Sequence, residues 1–262
     1  MTFSVVAYDQ KEKKWGVGVA SRFLSVGSVV PWAKAGVGCI ATQSYANYSY
    51  GPQGLELLMS HNSKETIQML TSKDSMASKR QVAAVDSKGM PFAFTGSDCI
   101  DYAGHILGSN FSVEGNILAG PSVLEGMSQE MSRDGKLEDR ILAALFAAEK
   151  QGGDRRGRQS ACILVVSEDE HFEEGSDVYM DIRVEDAKEP LPELRRIMAV
   201  WMATFFENEF VDIKDHREQL DRVIRENGFE SLEKLAEARN VEFNLKDGKI
   251  GKHSLKILTS GL

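Results

Sequence analysis

Four stretches of the chain hold side chains of types and spacings that could do chemistry. The first is the opening, MTFSVVAYD. Thr2 there is either the first residue of a buried strand or, once Met1 is removed, a nucleophile at the tip of the chain. The second is TQSYANYSYGPQG, which offers Gln43, Asn47 and three tyrosines just ahead of a helix. Such side chains can orient a polar ligand or donate to an oxyanion, and the same residues also populate ordinary turns. The third is EGNILAGP, where Asn116 interrupts an apolar strand. A buried amide must be hydrogen-bonded, and one at a strand end is either an oxyanion donor or part of a bulge. The fourth is GGDRRGRQSA, which sets Asp154, Arg156, Arg158, Gln159 and Ser160 between a helix and a strand. An arginine in a glycine-rich loop can grip a carboxylate or phosphate through two parallel hydrogen bonds. The plainer alternative is that Asp154 pairs with a local arginine. The loop lacks Gly-Lys-Ser/Thr and runs helix to strand, so it is not a nucleotide phosphate loop.

Other chemistries lack their residues. Cys39, Cys99 and Cys162 form no CxxC pair, and an odd, sparse count suggests reduced thiols. The five histidines fall in no HxH or HExxH spacing, so neither a zinc site nor another cofactor is expected. A site for a hard cation, built of carboxylates and carbonyls, has looser spacing and is harder to exclude. The net charge of -8 disfavours nucleic acid and anionic membranes as partners. No stretch approaches the roughly 20 apolar residues of a membrane span, and the opening has no basic, then apolar, leader pattern. The expectation is a cytoplasmic protein, a homo-oligomer, acting on a small-molecule amide or an acidic ligand.

The elements that must position these residues are legible from periodicity. The opening and WGVGVAS read as strands about the charged turn Asp9–Lys14, and Val26–Val30 and Gly38–Gln43 read as two more. Four strands from one short segment suggest a single twisted antiparallel sheet. Leu55, Leu58 and Met59 share a helix face, and Asn62 with Glu65 forms a capping box for the next helix. RQVAAVDSKGMPFAFTG is a hairpin about Asp-Ser-Lys-Gly, and 111–119 reads as a strand. Two helices follow, near 121–132 and 136–150, then the strands SACILVVS and VYMDIRVE. Strands, a helix pair, strands, two helices and strands again make an α+β protein. A four-layer αββα sandwich accounts for this order better than a parallel doubly wound sheet, because βαβ alternation is missing. Pro190 and Pro192 precede a long helix, and beyond it the chain turns charged and helical. The expected division is a main domain over 1–210 and a small helical appendage over 211–262.

Taken together, MTFSVVAYD, WGVGVASRFLSVGSVVPWAKAGVG, ATQSYANYSYGPQG, RQVAAVD, GNILAGP and GGDRRGRQSA resemble, in order, an uncharacterised family of bacterial and archaeal proteins of unknown function. That family is grouped with the N-terminal nucleophile (Ntn) hydrolase-like superfamily. The tail, NGFESLEKLAEARNVEFNLKDGKIGKHSLKIL, is similar to a small domain associated with peptidoglycan binding. The resemblance implies an αββα sandwich in which Thr2, freed by loss of Met1, attacks an amide carbonyl while its own α-amine takes the proton. Such an amine has a pKa near 8 and needs no separate histidine. With Thr2 as nucleophile, the polar clusters read above would supply the rest: Gln43 or Asn116 to stabilise the oxyanion, and Arg156 or Arg158 to hold a substrate carboxylate. A peptidoglycan fragment is one candidate substrate. Lys34 lies at about the distance where proteasome-type sites keep a charge-tuning lysine. The acid that would hold it is absent, because Ala20 precedes Ser21 and Arg22.

Overall fold

A computed structural model describes residues 2–259, which divide into two compact units, Met1–Leu194 and Arg195–Leu262.

In the first unit the chain opens with a hairpin of β1 (Thr2–Asp9) and β2 (Lys14–Ser21). Its turn is made by Asp9, whose Oδ1 accepts from Lys11 N and Glu12 N at 3.0 Å each. There follow β3 (Pro31–Lys34), β4 (Gly38–Ser44), α1 (Tyr50–Leu58), α2 (Ser63–Ser72), β5 (Arg80–Asp86) and β6 (Pro91–Thr95). Next come β7 (Gly104–Gly108), β8 (Phe111–Asn116), α3 (Ser122–Met131), α4 (Leu137–Lys150), β9 (Ser160–Ser167), β10 (Val178–Val184) and α5 (Pro190–Phe205), which runs across the boundary between units. One sheet has the order β10-β9-β2-β1-β8-β7 and the other β3-β4-β5-β6. Every pairing in both is antiparallel.

The period-2 pattern of each strand explains how the sheets are covered. Val6, Val17, Val19 and Leu164 of the first sheet form one buried cluster with Cys39, Ala41, Ala83 and Val85 of the second. The alternate residues of the second sheet, Ile40, Val82 and Ala84, pack instead with Tyr50, Leu58 and Ile67 of α1 and α2. On the far face of the first sheet, α4 lies against β1 and β2. Gly16 and Gly18 permit that approach: a Cβ on Gly18 would sit 2.3 Å from Ile141 Cγ2.

Several expected elements take other forms. Residues 26–28 are a short 3-10 turn entered by Ser25 at φ 55°, not a strand, and β3 begins only at Pro31. The strands of the first segment are shared between two sheets instead of forming one. The strand expected over 111–119 stops at Asn116, because Ile117 takes a φ of 53°. β7 is an additional edge strand with no expectation behind it.

The second unit contains β11 (Phe210–Asp212), α6 (Arg217–Glu226), α7 (Leu232–Ala238), β12 (Leu245–Lys246), β13 (Lys249–Gly251) and α8 (Lys252–Thr259). It is not purely helical, because β11, β13 and β12 form a three-stranded sheet. Ala203, Leu220, Leu235, Val241, Ile250 and Leu258 are buried in its core. Asn244 Nδ2 ties that core together, donating to Ala203 O at 2.7 Å and Ser254 Oγ at 2.8 Å. Ala199, Val200 and Ala203 of α5 also belong to this core. Among the described residues no helix is long and apolar enough to cross a membrane.

Candidate functional site

The space between the two sheets changes character along its length. Val6, Cys39, Ala41, Ala83 and Val85 make its middle apolar. Toward the start of β1 the same faces turn polar. Register explains this: Thr2 pairs with Ser21 on one side and Asn116 on the other, and Ser4 pairs with Glu114. Across the gap, Gln43 pairs with Gln81, and Gln81 with Thr95. Thr2, Ser4, Ser21, Gln43, Gln81, Glu114 and Asn116 are all buried.

A hydrogen-bond network satisfies most of these groups. Thr2 Oγ1 and Ser21 Oγ are 3.1 Å apart, and either can donate. Ser4 Oγ donates to Gln43 Oε1 at 2.8 Å, and Gln43 Nε2 donates to Gln81 Oε1 at 2.9 Å. Asn116 Nδ2 donates to the same Gln81 oxygen at 3.0 Å. Gln81 Nε2 reaches Thr95 Oγ1 and the carbonyls of Gly104 and Gly115, and Thr95 Oγ1 lies 2.9 Å from His105 Nδ1. Glu114 is the exception. Ser4 Oγ lies 3.4 Å from its Oε1, while its Oε2 is buried without a partner. Burial pushes this carboxyl well above the usual range, opposed only by the hydrogen bond from Ser4. A lone buried carboxylate is costly, so this environment favours the neutral acid.

Two cavities border this end of the first sheet, one lined by Thr2 and the other by Ser21. Thr2 and Gln43 border a cavity of about 120 Å³ with Phe23, Val26, Val30 and Tyr48. Ser21 borders a second, of about 190 Å³, with Phe3, Glu149, Asp154 and Arg158. Arg158 also borders a third, of about 470 Å³, together with Arg22, Gln159 and Lys188.

The expected site residues therefore divide into groups. Thr2, Gln43 and Asn116 come together, although the two amides are engaged with Gln81. Asp154 and Arg158 come within reach of Ser21 through the second cavity. Asp154 is itself structural, its Oδ2 accepting from Arg22 N and its Oδ1 from Arg156 N, both at 2.8 Å. Arg156 pairs with Asp154 at 3.4 Å, and Arg158 pairs with Glu149 at 3.0 Å and Glu189 at 3.7 Å. Burial raises the pKa of Glu149, and Arg158 opposes that shift. Ser160 is fully buried and shapes the site from behind: it accepts from Val26 N at 3.1 Å and donates to Phe23 O.

Two residues stand elsewhere. Asn47 starts α1, accepting from Ser49 N and Ser49 Oγ and donating to Asp74. Burial works against the Asp74 carboxylate, but hydrogen bonds from Arg80, Met76 N, Tyr50 and Asn47 overcome it and hold its pKa well below the ordinary range. Lys34 is exposed and pairs with Gly38 at the far end of β4, five strand residues from Gln43, or about 17 Å. Lys34 is thus not brought to Thr2. Among the described residues no three His, Cys, Asp or Glu side chains gather as a metal site.

Ser4, Ser21, Gln81 and Glu114 were not expected in the site. Their signal was polar residues spaced two apart, Thr2 with Ser4 and Glu114 with Asn116, on strands whose other face is apolar.

Residues 2–194 match the model of a family of unknown function, DUF1028. The chain is similar to the crystal structure of protein SPO2555 from Silicibacter pomeroyi, described with the same family model. The two are 29% identical with a TM-score of 0.70, over 77% of this chain and 89% of that one. The chain is also similar to Anbu, an ancestral beta-subunit from Yersinia bercovieri, at 12% identity and TM-score 0.34, over 80% of this chain and 98% of that one. No curated protein matches the chain.

Proposed function

The chain belongs to the DUF1028 family, whose function is unknown, and we propose that it is an N-terminal-nucleophile amidohydrolase acting on a small amide or peptide. The observation that carries this reading is the Thr2 hydroxyl, which borders a cavity and meets the Ser21 hydroxyl at 3.1 Å. Two sheets face each other, with α3 and α4 against one and α1 and α2 against the other. That arrangement supports the reading as an αββα sandwich of the Ntn-hydrolase type.

In this mechanism the Thr2 Oγ1 attacks the amide carbon, and its proton passes to the Thr2 α-amine. Gln43 or Asn116, each with a second amide hydrogen, donates to the oxyanion. The amine then returns the proton to the departing nitrogen, and water cleaves the resulting ester. Ser21 orients the hydroxyl. Arg158, at the edge of the neighbouring cavity, exchanges its exposed partner Glu189 for a substrate carboxylate. Lys34 has no part. Met1, whose removal this requires, lies outside the described residues.

The test is intact mass of protein from its native host, with kinetics on an amide panel. Active protein should begin at Thr2, and Thr2→Ala should lower kcat/KM by at least about 10³-fold. Activity should rise with pH to a plateau above about pH 8, as the amine loses its proton. Full activity with Met1 retained would exclude Thr2.

A second reading, a binding protein for an acidic small molecule, draws on Arg22, Arg158 and Lys188 around the 470 Å³ cavity. A ligand-dependent rise in melting temperature, lost in Lys188→Ala and unaccompanied by turnover of any amide, would favour it. On this reading the second unit, whose tail over 227–258 reads as resembling a peptidoglycan-associated domain, would offer its own cavity of about 780 Å³ to a cell-wall fragment.

A further inference from the structure

The cavity at Thr2 is built unevenly. Thr2, Gln43 and Ser44 give it a polar edge, and Phe23, Val26, Val30, Ala46 and Tyr48 belong to its apolar wall. Val26 and Val30 are buried, whereas Phe23 and Tyr48 are exposed at 48% and 57%. The cavity thus has an aliphatic floor and an aromatic mouth. Its backbone is held on several sides. Ser160 binds Phe23 O and Val26 N, Ser25 N donates to Glu185 O at 3.0 Å, and Thr42 N donates to Val30 O at 3.1 Å. Such a floor offers nothing to a polar group, which would lose its water without compensation.

Size narrows the occupant. An apolar cavity of about 150 Å³ holds a benzene molecule, whereas this one measures about 120 Å³. A small branched group matches this volume more closely than a phenyl group or a sugar ring, and a methyl group leaves it mostly empty. We propose that this cavity is the acyl subsite and takes a branched aliphatic group of three or four carbons. The substrate class is then amides of short branched-chain acids, with the carbonyl beside Thr2 and an isopropyl or isobutyl group on Val26 and Val30. This specificity rests on the reading of Thr2 as the nucleophile.

Methyl ketones test the subsite without turnover, because they keep the carbonyl and lack the amide. Titrations of the full-length wild-type chain with isobutyl methyl ketone, acetone and benzyl methyl ketone, followed by NMR, should show the isobutyl compound binding at least about tenfold more tightly than the other two. Ala46→Leu, which fills the cavity, should abolish that preference. Should Ala46→Leu not fold, Val30→Ala enlarges the floor and should move the preference toward the benzyl compound. Equal affinities in the wild type, or a preference indifferent to both variants, overturn the subsite. Isobutyl preference in a protein that hydrolyses no isovaleryl amide keeps the subsite and removes the hydrolase. Hydrolysis of acetyl and phenylacetyl amides as fast as isovaleryl amides does the reverse.

Discussion

Glu114 is the residue whose environment is hardest to reconcile with its charge. It is fully buried, one carboxyl oxygen has no partner, and its cross-strand neighbour Ser4 offers one hydroxyl. The folded protein therefore keeps a proton that the unfolded chain releases near the ordinary glutamate pKa of about 4.3. Below that pH both states hold the proton and Glu114 has no effect on pH dependence. As pH rises toward the raised folded value, the unfolded state ionises alone and stability falls, by up to about 1.4 kcal/mol per pH unit. Glu114→Gln removes that slope while keeping the size and an acceptor for Ser4. From about pH 4.5 upward the melting-temperature difference should shift in favour of the variant, until pH passes the raised folded value. Parallel melting-temperature curves would mean that Glu114 is ionised in the fold. That this residue faces Ser4 was not readable from sequence: the alternation of Glu114 and Asn116 marks a shared face, but not the strand it meets 110 residues earlier. Thr2 was readable as a candidate because its chemistry depends on chain position alone. Its convergence with Gln43 depends on the pairing of strands remote in sequence and on the facing of two sheets.

At the level of elements, legibility tracks how local the deciding interaction is. The capping box is contained in Asn62–Glu65 and was read correctly: Asn62 Oδ1 accepts from Glu65 N at 3.0 Å, and Glu65 Oε2 accepts from Asn62 N at 3.3 Å. The turn over 26–28 was read as part of a strand over 26–30 because of Val26, Val29 and Val30, while Ser160, 134 residues away, holds Val26 N. β7 escaped because glycines at both ends mute a short strand, GHILG, whose partner is β8. Ser160→Ala tests the distant control directly. It leaves the Val26 N–H and the Phe23 carbonyl without their acceptor and donor, at a cost of about 1–3 kcal/mol for the stranded group. Chemical denaturation should show that loss, and because Phe23 and Val26 border the Thr2 cavity, ketone binding should weaken with it. Unchanged stability would show that water replaces the hydroxyl. Gly18 makes the complementary case for α4. Gly18→Val drives methyl groups against Ile141, which already lies 2.3 Å from where a Cβ would be. Overpacking of this kind costs about 1–3 kcal/mol, read as a lower denaturation midpoint with unchanged slope.

Over the whole molecule, the two units differ in what holds them. The first has two sheets with apolar clusters on both faces of the second sheet, and its polar network sits at one end of the inter-sheet space. The second has a small core drawn from residues 199–258 together with the Asn244 clasp. Among the described residues, none in that core is shared with these two clusters of the first unit. The expected consequence is that damage to one core stays in its own unit. Leu235, fully buried at the centre of the second core, is the place to apply it. Leu235→Ala removes three carbons and leaves a cavity, at a cost of about 2–5 kcal/mol. For a core this small that approaches the entire stability available to it. Hydrogen exchange should then accelerate across amides of α6, α7 and α8, while those of β1, β2 and β8 keep wild-type protection. Exchange that speeds up equally around Thr2 would show that the units fold as one. The proposed hydrolase chemistry would then depend on the second unit for its stability.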